Sequence, residues 1–153
     1  MSNLRNEDSE LLNSNNTGNT IASLVESKLG CPYEWGAAGP NSFDCSGLAY
    51  WAHQQVGISI PRVSSDQGSS GTPISVGNLQ PGDLMFYDTA GSGGITHTTI
   101  FVGGTSMIHA PKPGDVVKYT DMNYEYWTSK FKGARRYWWI NSLRVYYSII
   151  LKK

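Results

Sequence analysis

Cysteine is nearly absent from this chain: Cys31 and Cys45 are the only two in 153 residues. So few exclude a disulfide framework, although a single bridge stays open. Four-cysteine zinc sites are excluded with it, and neither CxxC nor HExxH occurs. Neither a metal nor a cofactor is expected. Net charge is absent too, because 12 Lys and Arg offset 12 Asp and Glu. That removes long-range attraction to nucleic acid or anionic lipid as a basis for function. No apolar run is long enough to cross a bilayer, and the first twenty residues lack the apolar stretch of a signal peptide. One local imbalance remains. From Lys118 onward eight Lys and Arg face only Asp121 and Glu125, which reads as a solvated basic surface.

What is present is turn-forming and aromatic. Seventeen glycines and nine tyrosines point to short strands, tight turns and stacking surfaces. The length suits one domain with a proper core. Residues 1–19 are rich in Asn, Ser and Glu without an apolar period, the pattern of a flexible arm or linker. Residues 20–29 carry Ile21, Leu24, Val25 and Lys28 at helical spacing, and Gly30 supplies a stop. A second helix is predicted over 45–56, ended by Gly57. Residues 63–77 read as polar surface loop. Strands are expected at 84–87, 97–102, 107–110, 116–119, 132–140 and 144–151, with an aromatic loop or short helix over 121–131. Two helices followed by antiparallel strands define an α+β fold with helices on one face of a sheet. The domain is drawn over 20–140, leaving 141–153 as a C-terminal extension, a strand or a tail.

Chemistry concentrates at Asp44-Cys45-Ser46-Gly47. Asp44 reads as an N-cap, its carboxylate accepting from the orphan N–H groups of a first helical turn. Capping is the role expected of it; the alternative is to point into the cleft and meet a cation. Cys45 then sits at the positive end of a helix dipole, where a thiolate is favoured over a thiol. Taken alone, the same cysteine is equally a buried small hydrophobe. A thiol nucleophile needs a base, and the base needs a group to hold its ring. His53 lies eight residues along the helix, on the order of 12 Å away, and reads as a surface or partly buried structural histidine. His97 and His109 flank a glycine turn. With Gly103-Gly104-Thr105 as the loop, Thr99 faces His109, and His97 is its diagonal neighbour on the same face, roughly 7 Å distant. A two-residue Gly-Gly turn would put the two rings on opposite faces. In the same-face register His97 is the base and His109 the group that orients it. Tyr33 can donate to an oxyanion, or be an ordinary core aromatic. Cys31 has no activating context and reads as structural.

These stretches resemble the NlpC/p60 family of papain-like cysteine peptidases. The resemblance lies in Pro32-Tyr33-Glu34-Trp35-Gly36, Phe43-Asp44-Cys45-Ser46-Gly47-Leu48, Ile60-Pro61-Arg62-Val63-Ser64-Ser65-Asp66-Gln67, Pro81-Gly82-Asp83, Thr96-His97 and Ile108-His109-Ala110. It implies a papain-like fold with N-terminal helices packed on a central antiparallel sheet. It also implies Cys45 as nucleophile, His97 as base and His109 as the third polar residue. Tyr33 falls near the oxyanion site. Asp44 and Ser46 would shape the subsite for a peptidoglycan stem peptide and its amino group, and Arg62, Ser64 and Gln67 would line or support the cleft. The implied reaction is hydrolysis of the γ-D-glutamyl–diamino acid bond, with diaminopimelate or lysine as the diamino acid, through a thioester. An amidase or acyltransferase on the same scaffold, or a non-catalytic wall-binding module, are the other outcomes. The implied setting is secreted or at the cell wall, with this chain a domain excised from a longer protein that carries wall-binding or lytic domains. Thr98-Thr99 depart from the small apolar residue and glycine usual after the histidine, and Thr99 is expected to narrow the cleft.

Overall fold

Leu84-Met85-Phe86-Tyr87 has no polar position, so a strand there must be covered on both faces. The computed structural model describes residues 6–138 and buries all four. In chain order the elements are α1 (Asn6–Glu26), α2 (Cys45–Gln55), α3 (Ser64–Gln67), β1 (Thr72–Ile74), a 3-10 turn at Val76–Asn78, β2 (Leu84–Tyr87), β3 (His97–Gly103), β4 (Ser106–His109), β5 (Lys118–Asp121), α4 (Glu125–Thr128) and β6 (Phe131–Arg136). The strands form one antiparallel sheet in the order β1-β6-β2-β3-β4-β5. Strand alternation sorts the core into two layers. Leu84, Phe86, Ile100 and Ile108 meet Ile21, Val25, Leu48, Ala49 and Ala52 of α1 and α2 on one face. Met85, Tyr87, Phe101, Met107 and Ala134 meet Trp127 of α4 on the other. The expected α+β layering is therefore present, with a smaller second cover behind the sheet.

Several boundaries differ from expectation. The predicted arm over 1–19 and the helix over 20–29 are instead one helix that already runs at Asn6 and ends at Glu26. Nucleation is the costly step of helix formation and propagation the cheap one. The end anchored by Ile21 and Val25 can therefore extend backward through a segment with no proline. Gly18 in mid-helix marks a close approach: a Cβ there would lie 2.8 Å from the Trp138 ring and against the Pro81 carbonyl. The predicted loop over 63–77 contains α3 and β1. Pro73 is tolerated in β1 because that strand is at the sheet edge and pairs only with β6. Strand β5 begins two residues later than expected, at Lys118, and β6 ends at Arg136 rather than 140. The expected strand over 144–151 and the extension over 141–153 lie outside the described residues.

Beneath the turn that leads into β2, Asp83 is fully buried and its carboxylate accepts from Arg136 Nε at 2.7 Å, Arg136 Nη2 at 2.8 Å and the Gln80 N–H at 2.8 Å. Arg136 also donates to the Asn78 carbonyl. This pair joins β6 to the loop between β1 and β2. Breaking a buried pair strands a charge, at a cost of about 3–5 kcal/mol. Asp83→Ala is therefore expected to lower the unfolding free energy by about that amount in urea titration. A loss under about 1 kcal/mol would show that the pair carries little of the fold.

Candidate active site

Helix α2 starts where Asp44 says it should. Asp44 takes an extended backbone, and its Oδ1 accepts from the Gly47 N–H at 2.7 Å. Glycine is required at 47 because a Cβ would run into the Ala37 carbonyl and lie 2.8 Å from Asp44 Oδ1. The carboxylate does more than cap. Arg62 donates through Nη1 to Oδ1 at 3.0 Å and through Nη2 to Oδ2 at 2.9 Å, and the Gly36 N–H donates to Oδ2 at 3.0 Å. The two readings of Asp44, cap and cation partner, thus hold together. Arg62 Nη1 also donates to Ser46 Oγ at 2.9 Å. The ion pair is buried on the aspartate side and about one-third exposed on the arginine side, so Arg62 is the more exposed partner.

Cys45 opens α2 half-buried, at the edge of a pocket of about 540 Å³. Tyr33, Asp44, Ser46, Arg62, Ser64, Ile95 and Thr96 line the pocket with it. The Cys45 N–H belongs to the first helical turn and has no intrahelical acceptor. Burial, then the charges of Cys45 and Asp44, raise the Tyr33 phenol above its ordinary value, against a smaller lowering by Arg62. Its hydroxyl therefore stays a donor. Cys45 Sγ lies 3.5 Å from Ser64 Oγ on α3. Ser64 in turn is 2.8 Å from Thr98 Oγ1 on β3. Gln67 is fully buried, and its Nε2 donates to the carbonyls of Ser46 at 3.1 Å and Pro61 at 2.8 Å.

The two histidines meet. His97 Nε2 and His109 Nδ1 are 2.8 Å apart. The register Ile100↔Ile108 and Phe101↔Met107 is the one expected. At the tip the pairing slips to Gly103↔Ser106 through an irregularity between Phe101 and Gly103. The expected three-residue loop is thus a tighter turn with a bulge, and the bulge restores the same-face placement that a plain two-residue turn would have lost. Trp127 covers the pair, stacked on His97 at 5.8 Å between centroids and edge-on to His109 at 5.3 Å. Its indole N–H donates to Thr120 Oγ1. Burial pushes His97 down to about 4. His109 falls to about 3, from burial first and then from His97 and Lys118. Both rings are neutral at ordinary pH.

No hydrogen bond joins Cys45 to His97 among the described residues; the sulfur's partner is Ser64. Ile95 and Thr96 line the cysteine pocket, and His97 follows them at the head of β3. Two expectations are corrected. Thr99 does not narrow the cleft: it is fully buried, with Oγ1 3.3 Å from the Met85 carbonyl and 3.1 Å from Met107 Sδ. Strand parity turns it to the face opposite Thr98. His53 is neither at the surface nor partly buried. It is wholly enclosed, with Nδ1 2.8 Å from the Ala49 carbonyl, and burial lowers it to about 4. The site also uses Thr98, Trp127, Ile95 and Thr96, to which the sequence reading assigned no role in it. The strand period alone gives Thr98 its face; only the position of α3 gives it a partner.

A model of the NlpC/P60 family matches residues 30–136. Over 95 residues the chain is 50% identical to a probable endopeptidase of Corynebacterium glutamicum, which is 61% of this chain and 43% of that protein. It is 37% identical over 113 residues to the murein DD-endopeptidase MepH of Escherichia coli, 71% of this chain and 42% of that one. The chain thus spans less than half the length of these relatives. The crystal structure of an NlpC/P60 family protein from Bacillus cereus superposes with a TM-score of 0.74 at 32% identity, covering 78% of this chain and 40% of that chain. The NlpC/p60 domain of the peptidoglycan hydrolase SagA gives a TM-score of 0.67 at 36% identity, covering 78% of this chain and 97% of that domain.

The three buried imidazoles set a pH dependence of stability. Each has a folded value near 3 to 4 and an unfolded value of about 6.5. The unfolded chain therefore takes up protons that the folded chain refuses. Stability is complete above about pH 6.5 and is lost as pH falls toward about 4. Urea midpoints at about pH 7.5, 6 and 4.5 should decline in that order. A midpoint that stays level, or rises with acid, would contradict neutral buried histidines.

Proposed function

The chain belongs to the NlpC/P60 family, and from that premise we propose that it is a cysteine endopeptidase acting on peptidoglycan stem peptides. One observation carries the reading. A cysteine at a capped helix start opens a pocket whose wall runs through Ile95 and Thr96 into His97, and His97 Nε2 is bonded to His109 Nδ1 at 2.8 Å. The base role requires one of the two tautomers that this contact allows. With its hydrogen on Nε2, donated to His109, His97 keeps a lone pair on Nδ1 that can accept the thiol proton. The reverse tautomer would leave Nδ1 already protonated and useless as a base. His109 Nδ1 then accepts, and it accepts more strongly once His97 is an imidazolium. Two neighbouring rings cannot both charge in a buried site, so the proton taken from Cys45 stays on His97.

The reaction follows in balanced steps. His97 removes the Cys45 proton and the sulfur bonds to the amide carbonyl carbon. The oxyanion is met by the Cys45 N–H and the Tyr33 hydroxyl, groups already in place before charge develops. The carbon–nitrogen bond breaks as His97 returns the proton to the leaving amine, which leaves a thioester. Water then gives a proton to His97 and adds as hydroxide to the carbonyl carbon. The carbon–sulfur bond breaks, and His97 returns the proton to the sulfur, which releases the acid and restores the thiol. Asp44 shapes the pocket rather than binding an incoming ammonium, since both of its oxygens are already engaged. Arg62 and Ser46 form the wall along which the stem peptide lies, with Ser64 and Gln67 behind it. No metal or cofactor enters any step. We place the protein outside the cytoplasm or at the wall, where such a substrate resides, within a longer protein that carries further wall-binding or lytic domains.

We propose the γ-D-glutamyl–diamino acid bond as the one cleaved. The relative from Escherichia coli is named a DD-endopeptidase, so a bond between two D-residues is the second reading. Digestion of purified peptidoglycan followed by mass spectrometry separates the two by the stem fragments released. Cys45→Ala and His97→Ala should each lower turnover by at least about 10³-fold, and His109→Ala by about 10²-fold, as expected for a nucleophile, a base and an orienting group. Undiminished release of fragments by Cys45→Ala would end the cysteine mechanism. Release of lactyl ends in place of stem fragments would make the enzyme an amidase.

A further inference from the structure

Ser64 and Thr98 form a chain of hydroxyls that ends on the Cys45 sulfur, and counting hydrogens shows what it can do. The Gln67 amide is fixed because its Nε2 faces two carbonyls, those of Ser46 and Pro61. Its Oε1 therefore points at Thr98 Oγ1, 3.0 Å away, and can only accept. Thr98 is fully buried and Ser64 nearly so. Each hydroxyl has one hydrogen. When Cys45 is a thiol, its S–H can point to Ser64, Ser64 to Thr98 and Thr98 to Gln67, and every donor is used. When the sulfur has lost its proton, it can only accept. Ser64 then turns its hydrogen to the sulfur and Thr98 can turn its own to Ser64 Oγ. Two rotations of hydroxyls, with no proton transferred, fit the chain to either form of the sulfur.

We infer that Ser64 is the hydrogen-bond donor that stabilises the deprotonated Cys45 sulfur, and that Thr98 and Gln67 are positioning residues that aim it. The inference deepens the proposed function, since it takes Cys45 as the nucleophile. It also accounts for the departure at Thr98: an apolar side chain there would leave Gln67 Oε1 and Ser64 without a buried partner. The charged and titratable groups around the sulfur are Tyr33, Asp44 and Arg62 along the pocket and His97 at the head of β3. None of them is altered in the variants below.

The test reads the sulfur directly and does not need turnover. The reduced full chain is alkylated with iodoacetamide across a pH series, and the rates at Cys45 and Cys31 are followed separately by mass spectrometry. Cys31 is a free thiol outside this pocket and serves as the internal reference. Ser64→Ala should raise the midpoint of the Cys45 profile by about one pH unit and slow its alkylation about tenfold below that midpoint. Thr98→Val should move the Cys45 midpoint, Thr98→Ser should restore it, and Thr98→Val should add nothing in a Ser64→Ala background. The Cys31 profile should be unmoved throughout. An unchanged Cys45 midpoint in folded Ser64→Ala overturns the inference, as does a Thr98→Val effect that persists without Ser64. If Ser64→Ala fails to fold, the Thr98→Val and Thr98→Ser pair decides alone, by a shift that is restored or by no shift. A chain that alkylates as expected but digests no peptidoglycan supports this inference while removing the proposed function.

Discussion

One carboxylate assembles the nucleophile's surroundings. Asp44 receives N–H groups from Gly36 and Gly47 and two from Arg62. Through it, three stretches distant in sequence converge: the loop after Tyr33, the first turn of α2 and the segment leading into α3. Each bond to a charged acceptor is worth more than a neutral one, because the charge is shielded from water. The result is a helix start at Cys45 tied to the loop after Tyr33 and to the segment that leads into α3. This explains why Asp44, Gly47 and Arg62 form a unit. The carboxylate needs the arginine once it is buried, and the helix start can approach Ala37 only without a Cβ at 47.

The sheet does the corresponding work for the imidazoles. His97 heads β3 and His109 ends β4, so the pair sits at one end of the strands. The bulge near the β3–β4 turn sets the register that lets the rings touch. Trp127, brought from α4 to the back face, stacks on His97 and closes the pair off from water. Desolvation keeps both rings neutral, the form in which one can serve as a base and the other as its acceptor. The face towards the helices holds Thr98, and the face behind holds the histidines and Thr99. Adjacent residues of one strand, His97 and Thr98, therefore bond to partners on opposite sides of the sheet.

The family fold, a papain-like α+β domain of the NlpC/P60 type, rests on features with strong local signatures. The cap and helix at 44–55, the apolar run of β2 and the glycine turn between two histidines were all readable, since each follows from backbone preferences or strict alternation. The segments that misled were those with weak local signals. The polar residues before Gly18 have no period of their own and are helical as the continuation of a packed end. The stretch over 63–77 looked like loop because α3 is a single turn and β1 a three-residue edge strand.

By itself, the sequence determined the cysteine at a capped helix start, the apolar strand at 84–87 and the glycine turn between the two histidines. Those depend on residues close in the chain, or on a periodicity that a neighbour cannot change. Tertiary structure alone decided that Asp44 caps a helix and binds Arg62 at once, that Ser64 rather than an imidazole touches the sulfur, and that Trp127 covers the histidine pair. It also decided that Thr98 bonds Ser64 and Gln67 while Thr99 lies in the core behind. Each of these is a contact across many residues of chain, whose energy comes from burying polar groups against specific partners, and no local preference encodes which partner arrives.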